Sequence, residues 1–274
     1  MGAKISIIMA VFNGEATLRE SIDSILAQTY ENWEFVICDD ASTDHTQEIL
    51  EEYKQRYPEK FILIANQENM RLAFSLNRCL EYATGEYVAR MDSDDISSPD
   101  RLEKECRFLA DHPEIDLVGS AMRRFSEENG LADVESKPQI VDRYYLRKSV
   151  PFNHATILTY RRVYEALNGY TVEKRTARCE DYDLWFRFFD KGFQGRNLQE
   201  PLYFVREDKN AIRRRTFRSR WERFQTAVVG FDLLGFPKRW LLEEFVVTLC
   251  KCLVPYHLID AYRTFQAKKQ EKVQ

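Results

Sequence analysis

The strongest constraint on the fold is an alternation: within about the first hundred residues, short apolar runs and stretches of helical spacing take turns four times. The run Lys4-Ile-Ser-Ile-Ile-Met-Ala-Val11 is apolar almost throughout, as a strand buried on both faces of a parallel sheet must be. After a loop at residues 12–16, Leu18, Ile22, Ile25 and Leu26 repeat at helical spacing, and Thr17 with Glu20 fits a capping box. Trp33-Glu-Phe-Val-Ile-Cys38 predicts a second strand, ending in Asp39-Asp40-Ala41-Ser42-Thr43, before a helix carrying Ile49, Leu50 and Tyr53. Phe61-Ile-Leu-Ile-Ala65 predicts a third. It precedes a helix marked by Leu72, Leu76, Cys79, Leu80 and Ala83 and stopped by Gly85. A fourth strand, Tyr87-Val-Ala89, leads into Met91-Asp-Ser-Asp-Asp95. The pattern specifies an α/β fold with a doubly wound, mostly parallel sheet, whose ligands sit beyond the carboxyl ends of the strands. Phe12-Asn13, Asp39-Asp40 and the acids 92–95 all fall at such ends.

Further along, Ser98-Pro99 reads as an N-cap and first-turn pair for a helix bearing Leu102, Cys106 and Leu109. Residues 115–122 read as a strand and 123–150 as a less regular excursion. A strand at 154–160, helices at 161–167 and 180–189, and short strands near 193–196 and 202–206 complete the domain, residues 1–209. From 210 to 274 the character changes to a basic, amphipathic helical appendage. Arg213, Arg214, Arg215, Arg218, Arg220 and Arg223 crowd one predicted helix, and Phe231, Leu234, Phe236, Trp240, Leu241 and Phe245 follow. Two readings stand open: a peripheral membrane contact through residues 210–260 near anionic lipid, or a helical appendage with a solvated arginine face.

A net charge of −4 over 274 residues gives no reason to expect nucleic-acid binding. The six cysteines form no CxxC, which fits reduced thiols in the cytoplasm. Lys4 and the short apolar run after it lack a cleavage-like site, so no signal peptide is expected. Residues 245–259 are broken by Lys251 and Pro255 and are too short to span a bilayer.

Neither G-x-G-x-x-G nor G-x-x-x-x-G-K-[ST] occurs among the ten glycines, so a bound nucleotide needs another anchor. Carboxylates suit Mg²⁺ or Mn²⁺, and if the run 91–95 continues extended, Asp92 and Asp94 share a face. The alternative is a polar turn that caps the next helix. Asp39 or Asp40 can accept from a base or ribose, or simply form a turn. Cys179-Glu180-Asp181-Tyr182-Asp183 offers Asp181 or Glu180 as a general base, or acids favoured by a helix dipole. His154, opening an apolar run, reads as structural more readily than as a site residue.

Taken together, Ser6-Ile-Ile-Met-Ala-Val-Phe-Asn-Gly-Glu15, Ser24-Ile-Leu-Ala-Gln-Thr-Tyr30, Cys38-Asp-Asp-Ala-Ser-Thr-Asp44, Met91-Asp-Ser-Asp-Asp95 and Glu180-Asp181 resemble the family 2 glycosyltransferases. The resemblance is close over residues 4–110, looser to about 206, and silent on 210–274. It implies the Rossmann-like GT-A fold and inverting transfer of a sugar, usually from a UDP-sugar, to a glycan or lipid-linked acceptor hydroxyl in polysaccharide biosynthesis. Carried over, Ala10, Phe12, Asn13, Glu15, Asp40, Asp92 and Ser93 contact the nucleotide-sugar. Asp94, with Asp92, binds Mn²⁺ or Mg²⁺; Asp181 is the base, with Glu180 beside it. His154 and Arg71 are further candidates. The chain departs from the pattern at Asn69-Met70-Arg71, where relatives often place glycine, and at Asp208, where they often place histidine. The rival readings are a sugar-nucleotide nucleotidyltransferase and a non-catalytic nucleotide-binding or peripheral membrane scaffold.

Overall fold

The apolar runs fold as strands, and the stretches between them as helices: β1 (Ile5–Val11), α1 (Leu18–Leu26), β2 (Trp33–Asp39), α2 (Thr46–Arg56), β3 (Phe61–Ala65), α3 (Leu72–Tyr82) and β4 (Tyr87–Arg90). β1 pairs parallel with both β2 and β4, and β2 with β3. All seven residues of β2 are buried, which is why it shows no polar alternation. The structure, a computed structural model, describes residues 2–126, 130–207 and 216–253.

The sheet then grows in the other direction. β5 (Ile96–Ser97), α4 (Arg101–Asp111), β6 (Leu117–Ser126), β7 (Gly130–Glu135), β8 (Leu158–Tyr160), α5 (Arg161–Leu167), α6 (Glu180–Asp190) and β9 (Gly195–Arg206) follow. The order is β3-β2-β1-β4-β8-β6-β9-β5, with β7 on β6. β8 is antiparallel to β4 and β6, and β9 runs parallel to β6. Contacts divide the chain into a unit of Met1–Val172 with Glu180–Glu207, and a second of Glu173–Cys179 with Asp208–Gln274.

Several local expectations are corrected. The Thr17 hydroxyl caps nothing in α1; it donates to the Ser93 carbonyl at 3.0 Å. α4 starts at Arg101 behind Asp100, because Ser98 and Pro99 are held by strand β9 and the loop after α1: Ser98 N–H donates to Leu202 O, and Pro99 O accepts from Thr29 N–H. Residues 154–160 split into a 3-10 turn, His154–Thr156, and β8. The two short strands expected near 193–196 and 202–206 are one, β9, with its register shift near Pro201. The excursion 123–150 holds the end of β6, β7 and a 3-10 turn at Arg143–Arg147.

In the second unit, Thr216 caps α7 (Phe217–Leu233) by accepting from Ser219 N–H, and α8 (Lys238–Leu253) follows. The Thr226 hydroxyl on α7 donates to Arg175 O at 2.7 Å, and Phe245 on α8 packs its ring against Phe224. Arg218, Arg220 and Arg223 lie on α7; Arg213, Arg214, Arg215 and Asp208 fall outside the described residues.

Candidate active site

Three loops meet beyond the carboxyl ends of β1, β2 and β3, and each contains a non-glycine residue in the left-handed region: Asn13 (φ 52°), Ala41 (φ 62°) and Arg71 (φ 70°). Such residues cost of order 1–3 kcal/mol apiece and persist where surrounding bonds enforce them. Here the bonds run between loops. Asn13 N–H donates to Ser42 Oγ and Thr43 N–H to Asn13 Oδ1; Gly14 N–H donates to Thr46 Oγ1, and His45 N–H to Glu15. Asp40 accepts from the N–H groups of Met70 and Arg71 and from Asn66 Nδ2 at 2.6–2.8 Å. Its carboxylate therefore holds the Asn69-Met70-Arg71 bend without glycine. Phe12 is 49% exposed at the mouth, and Ala10 lies just inside it on β1.

The acidic run is not extended. β4 ends at Arg90, and Ser93 and Asp94 form a turn, so Asp92 and Asp94 do not share a strand face. The neighbouring elements dictate this bend. Ser21 of α1 donates its hydroxyl to Asp92 O at 2.8 Å, as Thr17 does to Ser93 O. From β9, Tyr203 Oη accepts from Asp92 N–H at 3.0 Å, and Arg206 gives its N–H to Asp95 and its Nε to Asp94 O. Arg206 also pairs with Glu20, which removes that glutamate from any capping box.

Within the turn the three aspartates are unlike. Asp92 is gripped at both oxygens by Arg90, at 2.6 and 2.8 Å, and Arg90 is buried. Asp95 is buried too; desolvation first, then the charges of Asp92 and Asp94, push its carboxyl up to about 8. Asp94 stands exposed at the tip, its carboxyl above the ordinary range through desolvation and then the charge of Asp92. The turn thus presents one open carboxylate, Asp94, beside an arginine-gripped Asp92 and a buried Asp95. Among the described residues no group of three or more histidines, cysteines or acids is placed to hold a metal ion. The clamp on Asp92 is testable: Arg90→Met leaves a half-desolvated carboxylate short of two charge-assisted bonds, an expected loss of roughly 2–3 kcal/mol in denaturant unfolding. Wild-type stability in that variant would show that the clamp is unimportant.

The second acidic knot opens α6. Asp181 Oδ1 accepts from Tyr182 N–H at 2.8 Å, and Glu180 precedes it in the same turn. Tyr170 lies within the field of Asp181 and of Arg90; burial, then Tyr164, holds its phenol well above the usual range. The Tyr170 hydroxyl bonds to His154 Nε2 at 2.8 Å and to the Tyr164 hydroxyl at 2.7 Å. Burial first, then Arg90, keeps the His154 imidazole well below its ordinary pKa. His154 thus bonds to the Tyr170 phenol, which bonds in turn to Tyr164, the two phenol rings tilted at 45°.

Sequence reasoning passed over Arg90, Arg101 and Tyr203, which fix the turn from beneath. The signal was present: two arginines within otherwise apolar or core-facing stretches, where a buried charge must have a partner.

An α/β sheet with acidic loops at the carboxyl ends of its parallel strands offers its ligand groups beyond those ends. Comparison makes the class definite: the family model for glycosyl transferase family 2 matches residues 6–167, and the chain belongs to that family. It is 49% identical over 216 residues to the putative glycosyltransferase EpsE of Bacillus subtilis (strain 168), covering 79% of this chain and 77% of EpsE. It is 29% identical over 205 residues, 73% of this chain and 77% of the relative, to the Escherichia coli UDP-Glc:alpha-D-GlcNAc-diphosphoundecaprenol beta-1,3-glucosyltransferase WfaP. Among solved structures, S. aureus TarS 1-349 in complex with UDP-GlcNAc superimposes with a TM-score of 0.66 at 20% identity. The match covers 82% of this chain and 66% of TarS 1-349, just under two-thirds of that chain's length. The fold is GT-A, mostly parallel in its amino-terminal half, and the protein is a glycosyltransferase. Family membership displaces the nucleotidyltransferase and scaffold readings.

Proposed function

We propose that the chain transfers a sugar, with inversion, from a UDP-sugar to a hydroxyl of a glycan or lipid-linked acceptor in polysaccharide biosynthesis. The observation that carries this is the convergence of the Asn13, Asp40 and Asp92–Asp94 loops at one end of the parallel strands, the first two laced together through Ser42 and Thr43 and the acidic turn joined to the first loop through the Thr17 hydroxyl on Ser93 O. UDP-sugars named for WfaP and for the TarS complex support the donor class, and the diphosphoundecaprenol of WfaP supports a lipid-linked acceptor.

In this reading Ala10, Phe12, Asn13, Glu15 and Asp40 surround the nucleoside, and Asp92 and Ser93 face the ribose and diphosphate. Asp94, with Asp92 beside it, holds Mn²⁺ or Mg²⁺. The residues fit such an ion: both offer hard carboxylate oxygens, Asp94 is exposed at the tip of the turn, and Mg²⁺ is commonly held by one or two carboxylates plus substrate phosphates. When bound, the ion supplies positive charge against the departing diphosphate. Asp181, aided by Glu180, takes the proton from the acceptor hydroxyl as it attacks the anomeric carbon in a single in-line displacement. Arg71 stands exposed where the Asp40-held bend faces the nucleotide loops. The test is a panel of nucleotide-sugars scored for hydrolysis and thermal stabilisation. UDP-sugars should raise the melting temperature by several degrees; stabilisation by a different nucleotide class alone would reject the donor assignment.

We further place the enzyme in the cytoplasm, at the membrane face. No described helix is long and apolar enough to cross a membrane, yet α7 and α8 expose Phe217, Trp221, Val228, Leu242 and Val246 beside Arg218 and Arg239. Flotation with phosphatidylglycerol vesicles should carry the whole chain upward and fail at high salt; no flotation at low salt would reject the membrane contact.

A further inference from the structure

A cavity of about 440 Å³ lies along the segment that follows β7, lined by Ile140, Asp142, Tyr144, Tyr145, Arg147 and Lys148 and by none of the residues assigned above to the donor. Its size falls in the range of ligand pockets. Its wall is well anchored. Ile140 bridges to Arg196 of β9, Asp142 caps the 3-10 turn by accepting from Tyr144 N–H at 2.9 Å, and Leu146 is fully buried beneath it. The Leu146 carbonyl accepts the Tyr182 hydroxyl at 3.0 Å. Since Tyr182 N–H bonds to Asp181, one residue ties the cavity wall to the proposed base. Lys137, bonded to Ser149 at the rim, lies in the field of Asp181 as well.

The lining combines two chemistries. Ile140 is 69% exposed and Tyr144 53% exposed, with the Arg143 guanidinium 5.5 Å from the Tyr144 ring centre. Arg147 and Lys148 are exposed cations, and the one acid of the lining, Asp142, is turned into its helix cap. An aromatic and aliphatic platform suits the apolar face of a sugar ring, while an arginine next to a lysine suits a phosphate, the former by a bidentate fork. We propose that this cavity is the acceptor subsite, and that the acceptor is a glycosyl group bearing a phosphate or diphosphate. Tyr144 seats the sugar, Arg147 and Lys148 take the phosphate, and the link through Tyr182 sets the attacking hydroxyl toward Asp181. The inference rests on the reading of Asp181 as base.

The test uses the full chain saturated with UDP and Mn²⁺, titrated with N-acetylglucosamine 1-phosphate, with inorganic pyrophosphate, and with phosphatidylcholine vesicles carrying undecaprenyl phosphate. The double variant Arg147→Gln/Lys148→Gln should weaken every probe that binds by about tenfold or more, and Tyr144→Ala should weaken the glycosyl phosphate alone, while UDP binding is unchanged in both. Binding of the vesicles but not the soluble probes supports a lipid source for the phosphate; binding of the soluble glycosyl phosphate supports a phosphate recognised without lipid. If UDP binds normally but the double variant holds the probes as well as wild type, or wild type holds none, the acceptor subsite is overturned. If UDP itself fails to bind wild type, the donor reading fails and this inference with it.

Discussion

Asp181→Asn is expected to cut sugar transfer by about a thousandfold while leaving UDP binding unaltered. The substitution keeps the size and the acceptance of the Tyr182 N–H but removes the basicity that lets a carboxylate take a proton from the attacking hydroxyl, a contribution of typically 10²–10⁴. Asp181 occupies the first turn of α6, where the backbone dipole favours its charge and the Lys137 ammonium lies within its field. An ionised, oriented carboxylate is what a general base requires. Because Glu180 is adjacent, Glu180→Gln should cost much less, and the double variant little more than Asp181→Asn alone. Near-normal turnover by Asp181→Asn with intact UDP binding would transfer the role elsewhere.

The largest effect on stability is expected beneath the acidic turn. Arg101 and Glu105 form an ion pair with both side chains fully buried, at 3.2–3.3 Å within α4. Arg101 Nη2 also donates to the carbonyls of Arg90 and Ile157, and the guanidinium lies 5.0 Å from the Tyr203 ring centre. It thus props the residue that clamps Asp92 and the residue that takes the Asp92 N–H. Removing one partner leaves the other charge buried alone, so Glu105→Ala should lose about 3–5 kcal/mol, whereas Arg101→Met/Glu105→Leu should fall close to wild type. A single variant as stable as the double would contradict this.

Glu105 also sets a pH dependence. Burial, opposed by the Arg101 charge, pushes its carboxyl up to about 7 from an ordinary 4.5. A carboxyl raised on folding contributes stability that is complete below about pH 4.5 and is lost as pH rises toward 7. Relative to Glu105→Gln, wild type should therefore lose ground by about 1.4 kcal/mol per pH unit in that window, as read by urea unfolding. A constant difference between the two would remove Glu105 from the account.

The parallel half of the sheet was readable because burial on both faces leaves a signature in each run, as in β1 and β2. β7 left none: all six of its residues are exposed, so no apolar period marks it. β9 was read as two strands because Gln199-Glu200-Pro201 breaks its apolar pattern, and only pairing with β6 bridges the gap. The acids of the site were visible as residue types at strand ends, but their geometry was not. The spacing of Asp92 and Asp94 predicts a shared strand face; hydroxyls from α1 and bonds from β9, up to 112 positions away in sequence, fold that run into a turn. Such long-range bonds have no local signature, and they separate the gripped Asp92 and buried Asp95 from the open Asp94.

Calorimetric titration with UDP, in Mn²⁺ and then in excess chelator, tests the donor site most directly. Wild type should bind UDP with Mn²⁺ and lose most of that affinity in chelator, and Asp94→Ala should bind in Mn²⁺ no better than wild type does without it. Unchanged, Mn²⁺-dependent binding by Asp94→Ala, or wild-type binding that ignores the metal, would contradict the assignment of the acidic turn.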